Sequence, residues 1–137
     1  MLIDTNILIY AINADAPKHI RAKKFLKENL KNLEVAHQNI FEGIRVLTHS
    51  RYSNPMKLSK ALDALLAISD QAKIISPNQK TFYLSLELVK EYNLLGNRIF
   101  DAYLAATALS NDIFEIATDN ISDFKKFKGL KIINPFV

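Results

Sequence analysis

MLIDTNILIYAI, residues 1–12, is the stretch on which the fold turns. Its first four residues form a short apolar strand that ends on an acid, Asp4. The run from Asn6 to Ile12 satisfies a strand or a helix by pattern alone. A strand closed by a carboxylate matters because a parallel sheet presents its functional loops at the carboxyl ends of its strands. Outward from this opening, short apolar segments alternate with longer helical ones. Ala16-Pro17-Lys18 breaks the chain beside a helix start, and Ile20, Phe25, Leu26 and Leu30 give the next segment an apolar stripe. Residues 34–37 are a strand candidate, and Ile40, Ile44 and Leu47 space a helix over Asn39 to Arg51. Asn54-Pro55 is a turn, after which Leu58, Leu62, Leu65 and Leu66 mark another helix.

AKII, at Ala72 to Ile75, is a strand stopped by Ser76-Pro77. A helix from Gln79 to Tyr92 follows with Phe82, Leu86 and Val89, and Gly96 interrupts before an alanine-rich helix from Phe100 to Ser110. IFEIAT, at Ile113 to Thr118, and LKII, at Leu130 to Ile133, are the last strands. Alternating strands and helices predict one α/β domain over residues 1–137 with a largely parallel sheet. The leucine stripe at 58, 62 and 65 and the stripe at 82, 86 and 89 are candidates for self-association or partner binding, or simply core.

A chain of 137 residues can bury about two-thirds of its unfolded surface. With no cysteine, disulfides and thiolate metal sites are excluded, and a reducing, cytoplasmic setting fits. No apolar run approaches the roughly 18 residues needed to cross a bilayer, and no leader precedes Asp4, so neither a membrane nor secretion is expected. The formal charge is +4, and its distribution says more than its size. Lys18, Arg21, Lys23, Lys24, Lys27 and Lys31 crowd one segment, and Lys125, Lys126, Lys128 and Lys131 another. Such patches attract phosphates but read no sequence.

Four acids sit where chemistry is expected. Asp4 closes the first strand and Asp119 follows IFEIAT directly, while Glu42 and Asp101 lie in the early parts of helices among Ile40, Phe41, Ile44 and Phe100. A carboxylate in apolar company must be paired, hydrogen-bonded or metal-bound. Converging carboxylates repel, and a divalent cation with a taste for hard oxygen, Mg²⁺ or Mn²⁺, relieves that strain. Held there, such a cation activates water for attack on a phosphodiester. Thr5, Asn6 and Thr118 have short polar side chains suited to orienting carboxylates. The competing reading makes Asp4 and Asp101 plain helix caps.

Other chemistries fit less well. His19, His37 and His49 lack zinc spacing, and Ser50 and Ser53 sit in no nucleophile elbow. A DNA or flap nuclease would use the same acids, but branched duplexes ask for extra segments. A phosphoacceptor signalling domain needs an acidic pair at the first strand and a mid-chain acceptor, where this chain has LTHSRYSNP. An RNA-binding module lacks an organised stacking motif, since Tyr52, Phe82 and Tyr83 form none.

The segments MLIDTNILIYA, NIFEGIRVLTH, GNRIFDAYLAATAL and IATDNISDFKKFKGLKIINPF appear in order and span nearly the whole chain. Together they resemble the motifs of the VapC family of PIN-domain toxins. The resemblance implies a PIN-like three-layer α/β/α sandwich around a mainly parallel sheet. It implies a Mg²⁺-dependent endoribonuclease acting on RNA, inhibited by a small cognate antitoxin protein, and a homodimer is expected. Residue by residue, Asp4 and Asp101 become principal metal ligands, Glu42 completes the acidic cluster, and Asn6 and Thr118 support it. The fourth position is taken as Asp119, although the family often places Asp or Asn where this chain has Asn120. Asp123 is read as a helix cap.

Overall fold

The computed structural model describes residues 1–52 and 54–137; Ser53, weighed above as a nucleophile, lies outside them. Strand β1 (Leu2–Ile3) runs straight into helix α1 (Thr5–Ile12), then α2 (His19–Asn29) leads through a 3₁₀ turn at Leu30–Asn32 to β2 (Glu34–Ala36). Helices α3 (His37–Thr48) and α4 (Leu58–Ser69) precede β3 (Lys73–Ile75). Next come α5 (Gln79–Glu91), α6 (Arg98–Ser110), β4 (Glu115–Ala117), α7 (Ile121–Phe124) and β5 (Lys131–Ile133). The strands form one sheet in the order β3-β2-β1-β4-β5, with every pairing parallel.

Strand periodicity divides the core between the two faces of this sheet. Leu2, Ala36, Ile75 and Ile116 point to one side, where Leu88 of α5, Leu104 and Ala105 of α6, and Phe124 and Phe127 bury them. Ile3, Val35 and Ala117 point to the other, against Ile7 and Leu8 of α1, Leu26 of α2, Leu47 of α3 and Leu65 of α4. The three-layer α/β/α sandwich expected from the sequence is therefore the fold. Gly43 lets α3 approach α4 closely, because a Cβ there would meet Leu65 Cδ2 at 2.9 Å.

The ambiguous run after Asp4 is a helix. The Asp4 carboxylate accepts from the Thr5 N–H at 2.7 Å and caps α1, which buries Ile7, Leu8 and Ile9. One reading is corrected, and two stripes left open by the sequence are decided. The α2 stripe omits Ile20, which is 80% exposed, because Ala22 and Leu26 fix the buried side and Ile20 lies about 200° around the helix from Ala22. Helix α5 buries Thr81, Ser85 and Leu88 and leaves Phe82 and Leu86 exposed, since small residues let it settle on the alanine-rich α6. In α4, Leu65 is core, while Leu58 stays exposed.

The order of strands creates the functional edge. The chain builds outward from β1 to β3, then returns to the other side of β1 to lay down β4 and β5. Connections diverge at the carboxyl ends of β1 and β4, leaving a crevice at this switch point. Asp4 follows β1 there, and Thr118 follows β4. The Asp4 N–H donates to Ala117 O at 2.9 Å, tying the two strand ends together.

Candidate active site

A cavity of about 850 Å³ opens at this crevice. Asp4, Glu42 and Asp101 line it, together with Asn6, Tyr10 and Asn120. The three acids come from the end of β1, the middle of α3 and the first turn of α6. On α3 the cavity-facing positions are Gln38, Phe41, Glu42, Arg45 and Val46, spaced at i, i+3, i+4, i+7 and i+8 as one helical face demands.

Asp4 is buried and accepts hydrogen bonds at both oxygens. One oxygen takes the Thr5 N–H, and the other accepts from Thr118 Oγ1 at 2.6 Å and Asn6 Nδ2 at 3.0 Å. Glu42 is held at both oxygens, by Thr5 Oγ1 at 2.7 Å and by Gln38 Nε2 at 2.8 Å. Thr5 thus grips both acids, its N–H on Asp4 and its hydroxyl on Glu42. Behind it, buried Asn39 donates to Thr5 Oγ1 at 3.2 Å and accepts from the Ala36 N–H at 2.9 Å, fixing the start of α3. Asn120 donates its N–H to Thr118 Oγ1 at 2.9 Å. Asp101 differs from the others in accepting no hydrogen bond among the described residues.

Burial and mutual repulsion show in the ionisation of these groups. Burial pushes the Asp4 carboxyl up to about 6, with the charges of Glu42 and Asp123 adding to the rise against the pull of Thr118 and Thr5. Asp101 is also pushed up to about 6, first by burial, then by the charges of Asp123 and Asp4, with Lys126 opposing. Asp123 therefore stands close enough to raise both. Its position in the first turn of α7 gave no sign of this in the sequence, because a four-residue helix has too little periodicity to show its facing.

Asp119 departs from the expected shared pocket. Its carboxylate is turned onto an ion pair with Lys18 and accepts from Tyr10 Oη at 3.0 Å. Burial works against its charge, but the Lys18, Tyr10 and Asn134 donors outweigh it and hold the group below the ordinary carboxylate range. Its neighbour Thr118 occupies the inward position, so the side chain one residue on faces α1 and α2 instead. Lys18 also lies 5.0 Å from the Phe136 ring centroid and 5.5 Å from that of Tyr10, so this cluster pins α2 and the C-terminal segment to α1.

Among the described residues, no group of three histidine or acidic side chains is drawn tight enough to hold an ion as the side chains stand. The donor set nevertheless suits a hard divalent cation. It is made of carboxylate oxygens, two of which resist ionisation in the bare protein, and Asp101 keeps its lone pairs free. No helix among the described residues is long and apolar enough to cross a membrane.

Known proteins resemble this chain in sequence and in fold. The PIN domain family profile matches residues 1–130. A VapC ribonuclease of Mycobacterium bovis is 31% identical over 98% of this chain and 95% of its own length. Ribonuclease VapC24 of Mycobacterium tuberculosis is 30% identical over 97% and 94%. Among solved structures, a chain of VapBC2 from Rickettsia felis bound to a promoter DNA fragment superposes with a TM-score of 0.74 at 22% identity, covering 97% of this chain and 96% of that one. A toxin–antitoxin complex from Klebsiella pneumoniae gives 0.72 at 24%, covering 98% and 97%.

Proposed function

The chain belongs to the PIN-domain family, among the VapC ribonucleases, and from that premise we propose that it is a Mg²⁺-dependent endoribonuclease and the toxin of a toxin–antitoxin pair. The observation that carries the reading is the convergence of Asp4, Glu42 and Asp101, from three separate elements, in one crevice at the strand switch point. Asp4 and Asp101 would hold the cation, with Glu42 beside them, and the charge of Asp123 in the first turn of α7 would add to theirs. When bound, the cation supplies an activated water and stabilises charge on the phosphodiester oxygens.

The chain's own residues do the positioning. Thr118, Asn6 and the Thr5 N–H fix the plane of the Asp4 carboxylate, so its free directions point into the cavity. Thr5 and Gln38 hold Glu42 by both oxygens, which keeps its charge beside the reacting phosphate instead of letting it swing to solvent. Lysines of α2 and Lys126 draw RNA toward an otherwise acidic opening. The partner is a small antitoxin protein that covers this opening; the Klebsiella pneumoniae structure of similar fold is a toxin–antitoxin complex.

The test is cleavage of matched single-stranded RNA and DNA oligonucleotides by purified protein in Mg²⁺ and in excess EDTA, with Asp101→Asn alongside. RNA cleavage that needs Mg²⁺ and is lost in the variant is expected. Cleavage unaffected by EDTA or by the variant overturns the metal mechanism, and equal cleavage of DNA overturns the restriction to RNA.

A further inference from the structure

Each of the two helix-borne acids in the cavity is preceded by a phenylalanine that also lines it: Phe41 before Glu42 and Phe100 before Asp101. Both rings are exposed, Phe41 by 72% and Phe100 by 55%. Neither packs on another aromatic ring among the described residues. A single exposed ring needs no explanation, but two beside paired acids, with free faces, form a pattern. Their placement is fixed. Gln38 Nε2 donates both to Glu42 Oε1 and, at 2.9 Å, to the Phe100 carbonyl oxygen, so one amide ties the Glu42 turn of α3 to the Phe100 turn of α6. Arg45, one turn beyond Phe41, is the one cation lining the cavity among the described residues, and it makes no ion pair among them.

We propose that Phe41 and Phe100 are stacking platforms for the bases that flank the phosphate at the acids, with Arg45 pairing with a neighbouring phosphate. This rests on the RNA-cleavage reading above. The chemistry favours a nucleic acid strand over an apolar partner. The rings border carboxylates and an unpaired guanidinium, so an occupant must bring flat apolar faces and negative charge together, and a single strand does so at every nucleotide. A duplex hides its base faces, so the platforms select unpaired RNA. Stacking is tolerant of base identity, so the clamp sets where the strand sits and leaves sequence choice to other contacts. The competing occupant is a second copy of the chain, because Leu95 and Ile99 extend the exposed apolar surface beside Phe100.

The chain has no tryptophan, so Phe41→Trp and Phe100→Trp each place a single reporter at one platform. Both are titrated, with Ca²⁺ in place of Mg²⁺, with a single-stranded RNA oligonucleotide and with an abasic strand of equal length. The intact strand is expected to quench both reporters, and the abasic strand to bind without quenching. Phe41→Leu and Phe100→Leu, which keep apolar bulk but lose the flat face, are expected to weaken RNA binding about tenfold each, with tyrosine at either position restoring it. Equal quenching by the abasic strand, or unchanged binding by the leucine variants, overturns the proposal. So does a leucine double variant that sediments as a smaller species than the unsubstituted protein while binding RNA normally, which assigns the surface to a second copy. The two readings fail separately. Base-dependent quenching without cleavage by the unsubstituted protein sinks the nuclease and leaves the platforms; cleavage without base-dependent quenching does the reverse.

Discussion

Replacing Asp101 by asparagine separates the cost of the acidic site from its use. The Asp101 carboxyl titrates at about 6, some two units above its ordinary 3.8, and one unit corresponds to about 1.4 kcal/mol. The full shift would be about 3 kcal/mol, but Asp101 is only partly buried and solvent screening reduces this to about 1 kcal/mol. The sign follows from linkage. The folded protein binds this proton more tightly than the unfolded chain, so the associated stability is complete below about pH 4 and is lost as pH rises through about 6. Asparagine keeps the shape and carries no charge. With no hydrogen bond to lose among the described residues, Asp101→Asn should melt about 3 °C above the unsubstituted protein at pH 8 in EDTA. That advantage should fall to about half at pH 5 and reach zero only below about pH 4. Saturating Mg²⁺ should reverse the ranking at pH 8, because the ion stabilises only the protein that binds it. Melting curves by circular dichroism at the two pH values, with EDTA and with Mg²⁺, give all four numbers. An Asp101→Asn protein that melts no higher at pH 8 in EDTA, or by a margin independent of pH, refutes the account of repelling carboxylates.

Thr5→Val should cost about 1–2 kcal/mol and reduce cleavage, because it strips a donor from Glu42 and an acceptor from buried Asn39 while leaving the volume nearly unchanged; urea unfolding beside an RNA cleavage assay measures both. Asp123→Asn should lower the titration points of Asp4 and Asp101 toward ordinary carboxylate values, and Asp119→Asn should not, as carboxyl-carbon NMR titrations of the metal-free protein would register. Lys18→Met should cost no more than about 1 kcal/mol, since the lysine of that pair is 40% exposed, and should leave Mg²⁺-dependent cleavage largely intact. Lys24→Ala should weaken RNA binding uniformly across sequences and reduce the slope of log K against log salt by about 1, if α2 carries backbone phosphates.

The layered fold was legible because every strand is a short apolar run and the helices between them are long enough for a stripe. The opening run from Asn6 to Ile12 could not be settled by pattern, because apolar residues dominate it on all sides. The Asp4 cap decides it, and that depends on the Asp4 rotamer. For the site, Asp4, Glu42 and Asp101 stood out as charges in apolar surroundings, and all three line the crevice. Adjacency to a strand end misled at Asp119: successive residues leaving a strand face opposite ways, and Thr118 had already taken the inward one. The bridging roles of Gln38 and Asn39 carry no local signal, since each depends on partners in another element: Thr5 for Asn39, and the Phe100 carbonyl for Gln38.

The central place of β1 between β2 and β4 has a consequence for the timing of synthesis. Asp4 is synthesised well before the hydroxyl that orients it, which belongs to Thr118, 114 positions later. Its own N–H finds Ala117 only after β4 has slotted in beside β1. A nascent chain on the ribosome can assemble β1, β2 and β3 with their helices and still have an unfinished acidic crevice, because one wall is not yet translated. A site built this way is incomplete while its own message is being read. Contacts so distant in sequence also form slowly, which leaves an interval after release before the crevice is whole.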